Sequence, residues 1–291
     1  MALSLIKSEP YEKQYIENLA SILRYGEREA NSRTGVETYR LPATIIQVDV
    51  KKDFPILRSK YVAWKTAIEE LLWIYIKCDN DTKNLSSKIW AKNAYEDGTI
   101  GKSYGYQAGK RPVVLVNGKK TDFRSQLDYV ISTLKADPSS RQAVIDLWDP
   151  EDLSEMALPP CILNSVWTII NGRLNVLVTQ RSADYPLGVP FDTFQFAVLM
   201  YIVARELGVE PGILTHNFGD SHIYLNQVPG VVEQLRTYMK DAGELSIGGF
   251  FGDPYSPVKL KITDKPYTEL TVDDFELVNY TPGPKIKYEL N

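Results

Sequence analysis

Apolar residues recur at helical spacing between residues 11 and 30, at Tyr15, Ile16, Leu19, Ile22 and Leu23. That period predicts an amphipathic helix. Residues 42–50, with Ile45, Ile46, Val48 and Val50, read as a strand. From Trp64 to Lys77 the positions Trp64, Ala67, Ile68, Leu71, Leu72 and Tyr75 repeat at i, i+3, i+4 and i+7. This is a helix with one buried face, and Glu70 falls at the edge of that face. Val113–Val116 before Asn117-Gly118 reads as a strand and turn, and Leu127, Val130, Ile131 and Leu134 mark a helix over 122–135. A strand is expected over 143–148. Val166–Ile170 and Leu174–Thr179 flank Asn171-Gly172, a strong hairpin signal. A second core helix is predicted over 194–207, ending near Gly208, with late strands around 258–262 and 275–278. No repeat, low-complexity segment or linker interrupts this order. One α+β domain over residues 1–291 is the economical expectation.

Composition narrows the class. With 291 residues, 44% hydrophobic and 24% charged, the chain has the balance of a soluble globular protein with a sizeable core. Its net charge of −4, without a basic run, argues against bulk nucleic-acid binding but leaves room for a small anion held by a few arginines. Two cysteines, Cys78 and Cys161, make neither a disulfide scaffold nor a structural zinc site. The N-terminal residues lack a signal-peptide pattern and no apolar run has transmembrane length, so a cytoplasmic protein without a membrane partner is expected.

The candidate chemistry is concentrated in residues 158–227. Cys161 follows Pro159-Pro160 in a turn. A lone cysteine is usually a core residue, but one near arginines can be a thiolate nucleophile. Arg181-Ser182 sets a guanidinium beside a hydroxyl, a reasonable phosphate site. Arg33, in the polar turn Ser32-Arg33-Thr34-Gly35, reads either as surface or as a phosphate clamp on a loop. His216, Asp220 and His222 offer a metal reading, yet His222 and Tyr224 lie two apart on one face of an extended segment, where both can reach one sugar hydroxyl. No metal is expected. Trp90, Asn93 and Tyr104 lie in an aromatic, glycine-punctuated stretch that suits either a ligand-lining loop or core. Glu70, if partly buried, would have a raised pKa and relay protons.

The ordered set Leu158-Pro-Pro-Cys161, Gln180-Arg-Ser-Ala-Asp184, Leu187-Gly-Val-Pro-Phe-Asp192 and His216-Asn-Phe-Gly-Asp-Ser-His-Ile-Tyr224 resembles the thymidylate synthase superfamily, specifically its deoxycytidylate (dCMP) hydroxymethylase branch. The resemblance covers nearly the whole chain. It implies an α+β sandwich on a large twisted mixed sheet with flanking helices, working as a homodimer. It also implies 5,10-methylenetetrahydrofolate as co-substrate and a pyrimidine nucleoside monophosphate as substrate. By the same resemblance, Cys161 is the nucleophile. Arg33, Arg181 and Ser182 hold the 5′-phosphate, with Arg141 from the partner subunit. His222 and Tyr224 hold the 3′-hydroxyl, Glu70 organises water and protons, and Tyr104 supports that network. Trp90, Asn93, Asp184 and Gly188 face the folate, and Asp192 reads the pyrimidine edge. For a virus, such an enzyme would serve DNA modification in the host cytoplasm.

Four positions depart from the synthase pattern. Ile162 and Gln142 stand where histidine and arginine are usual, Asn93 where tryptophan is common, and Asp192 where uracil-specific members have asparagine. An asparagine amide matches uracil N3–H and O4. Cytosine presents the reverse, an N3 acceptor and an N4 donor. A carboxyl group takes the N4 proton on one oxygen and shares a proton with N3 through the other. Asn93 in place of a bulky ring would admit a water, favouring a hydroxymethyl over a methyl product. The alternatives at this point are a synthase or hydroxymethylase acting on dUMP, a dCMP methyltransferase, a CMP hydroxymethylase, and an inactive nucleotide-binding protein.

Overall fold

The computed structural model describes residues 9–30, 34–116, 119–245 and 257–291. Helix α1 spans Tyr11–Tyr25 and buries Tyr11, Tyr15, Ile16, Leu19 and Ile22. It stops five residues short of the expected end. At Gly26 an added Cβ would lie 2.4 Å from the Ile22 carbonyl oxygen, so the chain turns there. Strand β1 (Glu27–Ala30) follows and pairs antiparallel with β2 (Glu37–Asp49). All four β1 residues are exposed, so no apolar alternation marked them as strand. Arg28–Glu37 and Arg40–Glu29 ion pairs cross this hairpin. Arg33 lies outside the described residues.

Helix α2 (Trp64–Leu71) continues directly into a π turn, Leu72–Ile76, in which the Lys77 amide reaches back to the Leu72 carbonyl at 2.9 Å. Helix α3 (Tyr104–Ala108) and the small ladder of β3 (Val113–Val116) and β4 (Lys119–Asp122) precede α4 (Gln126–Ala136), which Ser125 caps at its N-terminus. Residues Asn117-Gly118 of the expected turn lie outside the described residues. Then come β5 (Val144–Asp146), β6 (Ile162–Ile170), β7 (Arg173–Gln180) and the two-residue β8 (Ala183–Asp184). Asn171 and Gly172 join β6 to β7 with φ of 51° and 72°, the two positive values that a tight hairpin turn requires.

Helix α5 (Gly188–Leu207) begins six residues earlier than its apolar period suggested, because Gly188, Pro190 and Asp192 fill its first turn. It crosses from β7 to the parallel strand β9 (Glu210–Tyr224). Helix α6 (Val228–Leu245) was not anticipated. Finally β10 (Lys259–Ile262) and β11 (Phe275–Val278) pair as a separate ladder.

The principal sheet has the order β1-β2-β9-β7-β6-β5, with β8 added beside β9. Both parallel and antiparallel pairs occur, so this is a large mixed sheet in an α+β fold, as expected. Helix α5 is apolar nearly all round and buried, its Phe194, Phe196, Leu199 and Ile202 wedged between α2, α4 and the sheet. Each such side chain contributes roughly 1.5–3 kcal/mol by burial. The opposite face of the sheet leaves Ile45, Ile170 and Leu177 exposed.

Candidate active site

Cys161 stands at the mouth of β6, just after the Pro159-Pro160 turn. Its position is over-determined. Its amide donates to the Tyr104 hydroxyl at 2.7 Å, and its carbonyl accepts from the Arg181 amide at 2.8 Å. The Arg181 guanidinium donates at 2.9 Å to the carbonyls of both Pro159 and Pro160 and lies 5.3 Å over the Trp148 ring. A fixed cation therefore braces the cysteine turn. Cys161 is partly exposed and takes part in no disulfide. The other cysteine, Cys78, has burial pushing its thiol up to about 11, unsuited to nucleophilic work.

Behind Cys161, Tyr104 packs edge-on against Trp90 with ring centroids 5.4 Å apart. The Trp90 indole donates to one oxygen of Glu70 at 2.7 Å, and the Gln195 amide donates to the other at 2.7 Å. Burial raises the Glu70 pKa, while these two donors oppose the rise. Glu70 is thus a buried carboxyl with one donor on each oxygen.

Asp192 projects from the first turn of α5. Gln180, the last residue of β7, donates to its Oδ2 at 2.8 Å and to the Ser182 carbonyl at 2.9 Å. Burial raises the Asp192 carboxyl to about 7, with the charges of Glu70 and Asp184 adding to the rise and Gln180 opposing it. At neutral pH this group is poised between acid and carboxylate. Gly188 sits between the two aspartates: a Cβ there would lie 3.6 Å from Asp192 Oδ2 and 3.9 Å from Asp184 Cβ. Gln227 donates to both Asp184 oxygens at 3.2 and 3.0 Å.

On β9, Asp220, His222 and Tyr224 share one face. Asp220 Oδ1 lies 2.9 Å from His222 Nδ1, which leaves Nε2 as the free ring nitrogen of that pair, and the His222 and Tyr224 rings meet edge-on at 5.2 Å. Arg40 pairs with Asp220 from the neighbouring strand. β8 places Asp184 opposite His222. His216 is not part of this face. It is buried beside Phe218, with Thr193 3.2 Å from Nδ1, and burial drops its pKa to about 3, so it is a neutral core residue. Among the described residues no group of three or more His, Cys, Asp or Glu could hold a metal ion.

The site residues therefore form one linked system. Cys161, Tyr104, Trp90 and Glu70 form one chain of contacts. Asp192 and Asp184 flank Gly188, with His222 beyond. Ser182 adjoins Arg181 at the same strand end. Arg141 is exposed on the turn before β5, apart from these contacts, and Asn93 lies partly exposed after Trp90. Sequence reasoning missed the amides that orient the carboxylates: Gln180 for Asp192, Gln195 for Glu70 and Gln227 for Asp184. A signal existed for two of them. Gln180 continues the inward series Leu174, Val176, Val178, and Gln195 stands between Phe194 and Phe196 in an apolar helix. Buried amides in such places need polar partners. Lys60 was also missed. It donates to the Pro186 carbonyl and sits 4.7 Å over the Tyr288 ring, and burial lowers its ammonium to about 7 despite the Asp184 charge.

The thymidylate synthase family model matches residues 13–291. A thymidylate synthase of Clostridium beijerinckii is 39% identical over 284 residues, covering 97% of this chain and 98% of its own. One from Bacillus phage phi3T is 38% identical over 291 residues, with 96% and 98% covered. The solved structure of thermostable thymidylate synthase A from Bacillus subtilis superposes with a TM-score of 0.81 at 34% identity, covering 97% of this chain and 99% of that one. The chain belongs to the thymidylate synthase family, which transfers a one-carbon unit from 5,10-methylenetetrahydrofolate to C5 of a pyrimidine nucleotide.

Proposed function

We propose that this enzyme converts dCMP, 5,10-methylenetetrahydrofolate and water to 5-hydroxymethyl-dCMP and tetrahydrofolate. The observation that carries the reading is Asp192: a buried carboxyl poised near neutrality, with Oδ2 held by Gln180. That arrangement gives cytosine an acceptor for N4–H and a shared proton for N3. Against uracil an ionised Asp192 sets acceptor against acceptor at O4. Leaving buried polar groups unpaired in this way rejects the wrong base by up to ~10⁴.

In this reading the Cys161 thiolate adds to C6 of the base, and electron density moves to C5. Methylenetetrahydrofolate supplies the carbon that C5 takes up. Glu70, fixed by Trp90 and Gln195, serves the proton transfers at the base. Trp90, Asn93, Gly188 and Asp184 line the folate side, where Asp184 can meet a polar N–H of the pterin. Arg33, Arg181 and Ser182 hold the 5′-phosphate, and His222 and Tyr224 hold the ribose 3′-hydroxyl. Loss of the C5 proton and departure of tetrahydrofolate from the one-carbon unit leave an exocyclic methylene, and water admitted beside Asn93 adds to it. The thiolate then leaves, with C5=C6 restored.

The exposed sheet face with Ile45, Ile170 and Leu177 is where two copies pair in this proposal, and Arg141 reaches the partner's phosphate site from its exposed turn. A second reading, thymidylate synthase acting on dUMP, is favoured by the names of the relatives. The two are separated by offering dCMP and dUMP separately with methylenetetrahydrofolate and weighing the products. A hydroxymethyl adduct on dCMP is expected. A methyl adduct on dCMP would retain Asp192 as the cytosine reader and reject water addition. Turnover of dUMP in preference would overturn the cytosine reading.

A further inference from the structure

Tyr75 lies in the π turn that follows α2. In an uninterrupted α-helix a residue five positions after Glu70 would point about 140° away from it. A π turn brings position i+5 back toward position i, and such turns recur at functional sites. Here the consequence is specific. The Tyr75 ring is buried edge-on against Phe196, 5.9 Å between centroids, while its hydroxyl is buried with no hydrogen-bond partner among the described residues. The ionisable groups facing that hydroxyl are Asp192, Glu70 and Tyr104.

A buried hydroxyl without a partner costs about 1–3 kcal/mol, so its retention among catalytic groups needs an occupant in the loaded site. The neighbours are already committed. Glu70 carries a donor on each oxygen, Asp192 carries Gln180 on Oδ2, and the Tyr104 hydroxyl accepts the Cys161 amide. Among the described residues the Tyr75 hydroxyl and Gln180 Oε1 are buried here without a partner, and of the two only the hydroxyl can both accept from and donate to a small polar molecule. We infer that Tyr75 is a positioning residue for the water that adds to the one-carbon unit on C5, holding that water between its hydroxyl and Glu70. This inference rests on the hydroxymethylase reading above.

The step balances as follows. The water oxygen bonds to the exocyclic methylene, and the methylene–C5 electron pair moves toward C4. The water proton passes to Glu70. The pair then returns to form C5=C6 as the Cys161–C6 bond breaks and the thiolate departs. Tyr75 enters neither thiolate addition nor C5 proton loss, so its removal uncouples early steps from late ones.

The test uses dCMP labelled with tritium at C5. Tritium release reports C5 proton loss, and hydroxymethyl-dCMP reports water addition. In the wild-type enzyme the two should be formed in a ratio near one. Tyr75→Phe keeps the ring on Phe196 and removes only the hydroxyl. It should raise the ratio on the order of tenfold, the scale of a misplaced reactant, with KM for dCMP within about twofold. A merely structural role would slow both readouts together and leave the ratio unchanged, which would overturn the inference while leaving the hydroxymethylase reading intact. A methyl product from the wild-type enzyme would overturn both.

Discussion

At the residue scale the decisive group is Asp192. Its folded pKa near 7 lies well above the ordinary carboxylate value of about 4. Between those values the folded state binds more protons than the unfolded chain. Its contribution is fully present below about pH 4 and is lost as pH rises through about 7. Asp192→Asn removes that titration. The variant should therefore be more stable than wild type at pH 8, by about 4 kcal/mol, and by under about 1 kcal/mol at pH 4.5, as read by denaturant titration at both values. The same substitution should reverse the base preference, with dUMP turned over better than dCMP. A variant that still prefers dCMP would remove Asp192 from the specificity argument. Tyr104→Phe leaves the Cys161 amide without its acceptor, so kcat should fall ~10-fold or more while the nucleotide still binds.

At the element scale, two junctions set the site. The end of β7 and the start of β6 meet where Cys161, Gln180 and Arg181 converge, and the turn between the two strands lies at their far ends. Gly172 in that turn has φ of 72° with open space around it, so backbone strain alone decides a substitution there. Gly172→Val should cost about 1–2 kcal/mol of stability and lower Tm, with kcat/KM for dCMP unchanged at 25 °C. A loss of activity at unchanged Tm would mean that the hairpin's far end communicates with Cys161. The second junction is the first turn of α5, where Gly188 allows Asp184 and Asp192 to approach the same space.

At the scale of the whole molecule, the sheet buries one face under α1, α4 and α5 and presents Ile45, Ile170 and Leu177 on the other. A face of this kind invites a second copy. Leu177→Lys should shift sedimentation toward the monomer and reduce activity. If Arg141 serves the partner's site, mixed dimers of Cys161→Ser and Arg141→Ala subunits contain one site with every group present. Mixing the two weak variants should then restore turnover to that expected of one working site per mixed dimer. No gain on mixing would place Arg141 in its own subunit's site.

The chain's order of apolar periods was enough to find α1, α2, α4 and most of α5, the central hairpin and the late ladder, because each of those elements buries a face that its own sequence declares, whereas α6 went unrecognised. The cysteine after two prolines, the Arg-Ser pair and the His-x-Tyr spacing could be singled out as runs of neighbours along the chain, while Asp192 was singled out by the resemblance alone. What tertiary structure alone decided is pairing across distance. β1 is exposed throughout and carries no apolar alternation, so only its ladder with β2 makes it a strand. Gln180, Gln195 and Gln227 gain their roles from carboxylates 12, 125 and 43 residues away. Tyr75 fits the apolar face of its helix by spacing, and only the tertiary structure shows its hydroxyl buried without a partner among the described residues, within reach of the charges of Asp192 and Glu70. Periodicity reports which side chains are buried. It is silent on what a buried polar atom touches, because that partner arrives from another element.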